Sequence, residues 1–246
     1  LQRSLGATET VGLFREVDRM NFLLICVAFT IVPTETLTFT HEQQARDAVA
    51  ERMTSGTLLL SKGDCLAVKV YSLSKYTHVA AVVVEDKKIY VYDSMNGVGV
   101  RRQLLVDYLK SEIPDKIYLL KPKKPFSKKR TGLFVKYLND QLGTPYAIAH
   151  HLTGKRGKGV HCSEYLTDAL MACNLIDAQK PSRVSPGSLA EGVVNSGLYE
   201  AGCRLQIVKP LVEKTEGSNR CEQLWIDTKI CTLSFYYKVR RMFFCR

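Results

Sequence analysis

The sequence predicts an α+β protein, and three observations predict it. Apolar residues recur at helical spacing in HEQQARDAVAERM, in RTGLFVKYLNDQLG and in the stretch that follows Cys162. Short β-branched and aromatic runs, HVAAVVVE and IYVYDS among them, read as strands. The two kinds of segment do not alternate in the regular βαβ manner that builds a parallel sheet.

Each element follows from its local pattern. Thr40 offers a helix cap, with Gln43 three residues on as its reciprocal partner, for a helix running to about Met53. SKGDC at 61–65 reads as a turn and CLAVKVYS as a strand. Residues 78–85 read as a fully buried strand and 89–94 as an alternating one, with Asp86 and Lys87 as the tight turn between them. VRRQLLVDYLKSEI, about 100–113, reads as a helix that Pro114 ends. KIYLLKP reads as a strand, 130–143 as a helix with Gly143 just past its end, GKRGKGV as a loop, Ser163 onward as a helix, and GCRLQIVKPL as a late strand.

Three segments divide the chain. Residues 1–39 contain the most apolar run, MNFLLICVAFTIV at 20–32, which is short for a membrane span of about 20 residues but suits a signal or anchor core. A buried helix is the competing reading. Residues 40–212 carry the elements above. Residues 213–246 form a basic, aromatic tail of less certain organisation, expected as an extra strand pair or an irregular segment. A signal or anchor at 20–32 would make the protein secreted or membrane-associated; without one, a cytoplasmic location is expected.

The 246 residues carry a net charge of +11, which favours an anionic partner without choosing which. The expected contact is an anionic surface met by Lys121, Lys123, Lys124, Lys128, Lys129 and Arg130. No aromatic residues interleave that run as a base-stacking platform would need, so no specific nucleic acid is expected. The eight cysteines include no CxxC pair and no Cys/His cluster with zinc spacing. No metal or cofactor is expected, and most of the thiols read as small buried hydrophobes.

One cysteine stands apart. Cys162, Leu166, Ala169, Leu170 and Cys173 fall on one helical face, which puts Cys162 in the first turn. The unpaired N–H groups and positive dipole end there favour a thiolate. A structural thiol is the alternative. A nucleophile needs a base, and the base an orienting group. His161 adjoins the cysteine, but chain neighbours at a helix start generally point apart. His78 opens an apolar strand, where an ionisable ring is costly without a partner. With Asp86-Lys87 as the turn, Glu85 pairs with Lys88 and His78 becomes the diagonal neighbour of Asp93, about 7 Å away between Cα atoms. Ala80 between them leaves room for ring and carboxylate. A one-residue slip would send Asp93 to the other face.

The segments GD at 63–64, KYTHVAAVV, YVYDS, NGVGV, GTPYAIAHH, VHCSEYLTDAL and SPGSLAEG occur in an order that resembles the permuted papain-like cysteine amidases of the YaeF/YiiX type, relatives of the NlpC cell-wall peptidases. The resemblance spans about residues 56–195. It implies a circularly permuted papain-like fold, a small antiparallel sheet or half-barrel with the nucleophile helix packed on it. It implies Cys162 as nucleophile, His78 as base and Asp93 as orienter, where such proteins often carry Glu. It implies that Tyr146 lines the site. Backbone N–H groups at Cys162 and Ser163 would hold an oxyanion. The chemistry implied is thiol hydrolysis of an amide, peptide or peptide-like, through a thioacyl intermediate. The lecithin–retinol acyltransferase-like proteins share the permuted order, but their NCEHF motif fits HCSEY less well; a lipid-directed acyltransferase or phospholipase is the second expectation. An inactive binding module on the same fold is the third.

Overall fold

The computed structural model describes residues 32–62, 70, 75–111, 116–208 and 216–244. The apolar run at 20–32, except Val32, and the strand expected at 65–72, except Val70, lie outside those residues, as do Gly63 and Asp64 of the resemblance.

The architecture is mixed α+β, as its patterning predicts. Seven strands form one sheet: β1 (Thr36–Phe39), β2 (Leu58–Ser61), β3 (His78–Glu85), β4 (Lys88–Met95), β5 (Gly99–Leu104), β6 (Ile117–Pro122) and β7 (Tyr199–Ile207). Their spatial order is β1, β7, β6, β2, β3, β4, β5. Only β1 runs parallel to its neighbour, β7; the other pairings are antiparallel. The helices are α1 (Glu42–Ala50), α2 (Leu105–Ser111), α3 (Lys128–Asp140), α4 (Ala149–Thr153), α5 (Cys162–Ala172), α6 (Pro186–Asn195) and α7 (Arg220–Phe244).

The β3–β4 hairpin has the register derived from its turn. Glu85 pairs with Lys88 and Ala81 with Tyr92. Asp86 and Lys87 both take positive φ, 48° and 64°, which matches the right-handed twist of the flanking strands. Alternation then sorts the side chains. Val79, Ala81, Val83 and Tyr92 join a core cluster with Tyr165, Leu166, Ala169 and Leu170 of α5. Ala80, Val82 and Val91 join a second cluster with Ala45 and Val49 of α1 and Tyr108 and Leu109 of α2. The sheet is thus buried on both faces, which explains why β3 is apolar at nearly every position.

Several elements depart from expectation. Residues 100–104, read as the start of a helix, belong to strand β5, paired with β4 from Met95↔Gly99 to Tyr90↔Leu104. The helical spacing is real only from Leu105, where Leu105, Tyr108 and Leu109 are buried. The first helix starts at Glu42 behind His41, whose side chain makes no capping bond, so the Thr40–Gln43 pair does not cap it. Helix α3 begins at Lys128, two residues earlier than read, because Ser127 accepts the Arg130 N–H and sets the start. The fully buried β2 was not distinguishable as a strand: LLLS does not alternate. The tail is neither a strand pair nor irregular over 220–244, but helix α7. No strand among the described residues pairs with it, and a helix satisfies its own backbone hydrogen bonds.

Candidate active site

Helix α5 places the cysteine. Its N-cap is His161, whose Nδ1 accepts the Glu164 N–H at 3.3 Å. The opposite nitrogen, Nε2, donates to the Ser182 carbonyl at 2.9 Å. These roles belong to a neutral ring. Burial disfavours a charge on His161 while the Cys162 thiolate, the Ser182 carbonyl and Glu164 favour one. The balance lies above the ordinary imidazole value, although a second proton would displace the capping bond. His161 is therefore a structural cap beside Cys162, a role that its place next to the cysteine did not reveal.

The cap leaves two donors at the helix tip. Glu164 and Tyr165 donate to His161, through its side chain and its carbonyl respectively. Among the described residues, the N–H groups of Cys162 and Ser163 have no partner. Ser163 turns its hydroxyl inward and donates to the Val184 carbonyl at 2.7 Å. Its side chain is thus part of the core, and only its N–H faces the helix end.

His78 and Asp93 meet as the register requires. Nε2 of His78 lies 3.1 Å from Oδ2 of Asp93, whose side chain is fully buried. That bond leaves Nδ1 for the thiol. His78 is the first residue of β3 and Cys162 the first of α5, so they meet at the ends of their elements. Strand alternation alone would put His78 with the second cluster, on the sheet face away from α5; the end of the strand lets the ring turn to the helix tip.

Arg101 is the residue that sequence reasoning missed. It lies directly across β4–β5 from Asp93. Its Nε donates to Oδ1 at 2.8 Å and an η nitrogen to Oδ2 at 3.1 Å. The same η nitrogen lies 3.4 Å from the Met95 sulfur. Reading 100–104 as helix hid this partnership. The turn signal Asn96-Gly97 and the alternation of GVRRQL were the available clues.

The electrostatics follow from these contacts. Burial pushes the Cys162 thiol up, but hydrogen bonding and positive charge from His161 and His78 outweigh it and bring it to about 6. Burial would lower His78, yet Asp93 and Cys162 hold it well above its ordinary value. Burial would likewise raise Asp93, and His78 with Arg101 keep it below the usual carboxylate range. His78 lies between a thiolate and a carboxylate, which together favour its charged form.

Tyr146 reaches the same place through two glycines. The Thr144 carbonyl accepts the Val100 N–H at 2.8 Å, and the Pro145 carbonyl accepts the Val160 N–H at 2.9 Å. The GTPY segment thereby bridges β5 to the loop before Cys162. A Cβ on Gly99 would lie 2.4 Å from the Thr144 oxygen, and one on Gly159 2.6 Å from the Pro145 oxygen; both glycines also have positive φ. Burial, then the nearby Cys162 charge, raise the Tyr146 hydroxyl strongly. The structure brings Cys162, His78, Asp93 and Tyr146 together, with Ser163 contributing backbone alone.

Arg156 ties the same loop to the helix. It pairs with Asp168 at 2.6 Å and with the buried Glu164 at 3.3 Å, one turn apart on α5. Among the described residues no group of three His, Cys, Asp or Glu side chains has the geometry to hold a metal ion.

No protein-family model matches the chain, and no curated protein matches it significantly. Among solved structures, the metalloprotein YiiX of Escherichia coli O157:H7 (DUF1105) is similar, with a TM-score of 0.43 and 16% identity over 64% of this chain and 89% of that one. A likeness this slight transfers neither residues nor activity.

Proposed function

We propose that the protein is a thiol hydrolase that cleaves amide bonds in a peptide or peptide-like substrate. The observation that carries this reading is a Cys162 thiol held near pKa 6 beside His78, whose far nitrogen is hydrogen-bonded to buried Asp93. Such a chain supplies a nucleophile, a proton carrier and an orienting anion at once. The motif order, which resembles the permuted papain-like amidases, supports the same assignment and a permuted papain-like description of the fold.

The reaction begins from the thiolate–imidazolium pair. Cys162 Sγ attacks the carbonyl carbon, and the C–S bond forms as the carbonyl electrons move onto oxygen. The N–H groups of Cys162 and Ser163 stabilise that oxyanion. His78 gives its proton to the departing amine and the C–N bond breaks. Water, deprotonated by the now neutral His78, attacks the thioacyl carbon and releases the acid. Asp93 holds the ring orientation throughout, and Tyr146 stands close enough to Cys162 to line the site.

The test is adduct trapping. Incubation with a mixed amide and ester library, followed by intact mass measurement, should show acyl groups on Cys162 and none on Cys162→Ala. Amide-derived adducts support the reading. Adducts from esters alone would favour the lipid-directed alternative, and no adduct with ordinary iodoacetamide reactivity would leave a binding module.

A further inference from the structure

A cavity of about 330 Å³ opens on the sheet face that carries α1, away from the candidate active site. Strands β2 and β3 stand between its β6 wall and Asp93 on β4. Its volume lies at the lower end of the range for small-molecule sites. Leu119 and Cys203, both buried, make an apolar floor, with Ala201 beside them. Four charged side chains stand around that floor: Glu35 before β1, Arg52 after α1, Lys121 on β6 and Glu200 on β7. The backbone fixes the wall that carries Glu35. The Thr34 N–H donates to the Gly202 carbonyl at 3.0 Å, and the Arg204 N–H to the Glu35 carbonyl at 2.8 Å.

The charges select the ligand. Arg52 is hydrogen-bonded to Glu35, and Lys121 pairs with Glu200 at 3.3 Å. All four side chains are between 43% and 46% exposed, so each pair contributes little to stability and exchanges readily. Arg52 also reaches the Cys203 thiol. Burial raises that thiol, and Arg52 and then Lys121 oppose the rise. Both cations therefore act at the floor of the cavity. A guanidinium with five N–H donors can hold Glu35 and a second carboxylate together. The ring of four charges sums to zero. An anion entering it gains two cations but faces two carboxylates, and a cation meets the reverse. A molecule with both signs satisfies the ring on both sides, while its apolar part lies on Leu119 and Ala201.

We propose that this cavity binds a free α-amino acid with a small aliphatic side chain, its carboxylate between Arg52 and Lys121 and its ammonium at Glu35 and Glu200. The site is independent of the chemistry at Cys162, and it stands whether or not that thiol cleaves amides.

Isothermal titration calorimetry on the full chain tests it with valine, with valinamide, which lacks the carboxylate, and with N-acetylvaline, which lacks the ammonium. Valine should bind at least about tenfold more tightly than either, the scale of one hydrogen bond to a charged group. Glu200→Gln leaves the ring with one positive charge in excess, so it should weaken valine about tenfold and strengthen N-acetylvaline. Lys121→Gln should weaken valine as well and shift the preference toward valinamide. Both side chains are half-exposed, so urea midpoints close to that of the parent chain check that the variants fold. Bound valine should also slow N-ethylmaleimide at Cys203, read by peptide mass, without changing the rate at Cys162. No heat from valine at millimolar concentration overturns the proposal. So does equal binding of the three compounds, or a valine affinity that neither substitution moves.

Discussion

Cys162 carries the sharpest expectations at the scale of single residues. Its iodoacetamide rate should follow a thiolate titration with a midpoint of about 6. His78→Ala removes the neighbouring positive charge, so the midpoint moves up toward the ordinary thiol range, and a rate–pH profile measures it. Asp93 adds a stability term. Its folded value lies below the unfolded one, so the contribution is complete above the unfolded carboxylate pKa of about 4 and is lost as pH falls through the folded value. Urea midpoints should therefore decline in that acid window, and Asp93→Asn should flatten the decline. Arg101→Gln leaves a fully buried carboxylate with one cationic neighbour instead of two. It should cost about 3 kcal/mol in urea unfolding, the scale for breaking a buried pair. The Asp93 carboxyl should also titrate higher without its guanidinium. Arg101 shows how a neighbour was lost: the residue was visible in sequence, but its partner could be assigned only once 99–104 was known to be a strand.

The elements make predictions through their turns and joints. Lys87 sits at a φ of 64° in the β3–β4 turn, where a side chain is strained and glycine is not. Lys87→Gly should stabilise the protein by about 0.5–1 kcal/mol, read as a raised urea midpoint. Gly159 presents the opposite case. At a φ of 105°, an added Cβ would meet the Pro145 oxygen and the Ala147 Cβ at 2.6 and 2.9 Å. Gly159→Ala should lower stability and slow Cys162 labelling together, because the joint it strains positions both Tyr146 and the α5 tip. Hairpin β3–β4 was legible from sequence because its turn residues and strand lengths admit one register. Strand β2 was not legible, since a four-residue apolar run has the same appearance in a strand and in a buried helix.

For the whole molecule, the two clusters flanking the sheet divide the work of stability, and no described side chain of α7 belongs to either. Ending the chain at residue 217 should change unfolding free energy by less than about 1 kcal/mol, because the described large apolar side chains of the helix, Leu224 to Tyr237, are already largely in water. Equal urea midpoints for the two lengths would bear this out; a collapse of the shorter chain would show that α7 is structural.

Local chemistry in the sequence settled much of this protein. Turn preference and strand alternation set the register that joins His78 to Asp93, and helical periodicity set the buried face that begins at Cys162. Those are short-range matters, decided by backbone sterics and side-chain spacing within a few residues. Tertiary structure decided the rest: that His161 caps the helix, that Arg101 shares Asp93, and that two glycines let the GTPY segment approach the cysteine. Each depends on groups far apart in the chain competing for one buried space, and no window of sequence contains that competition.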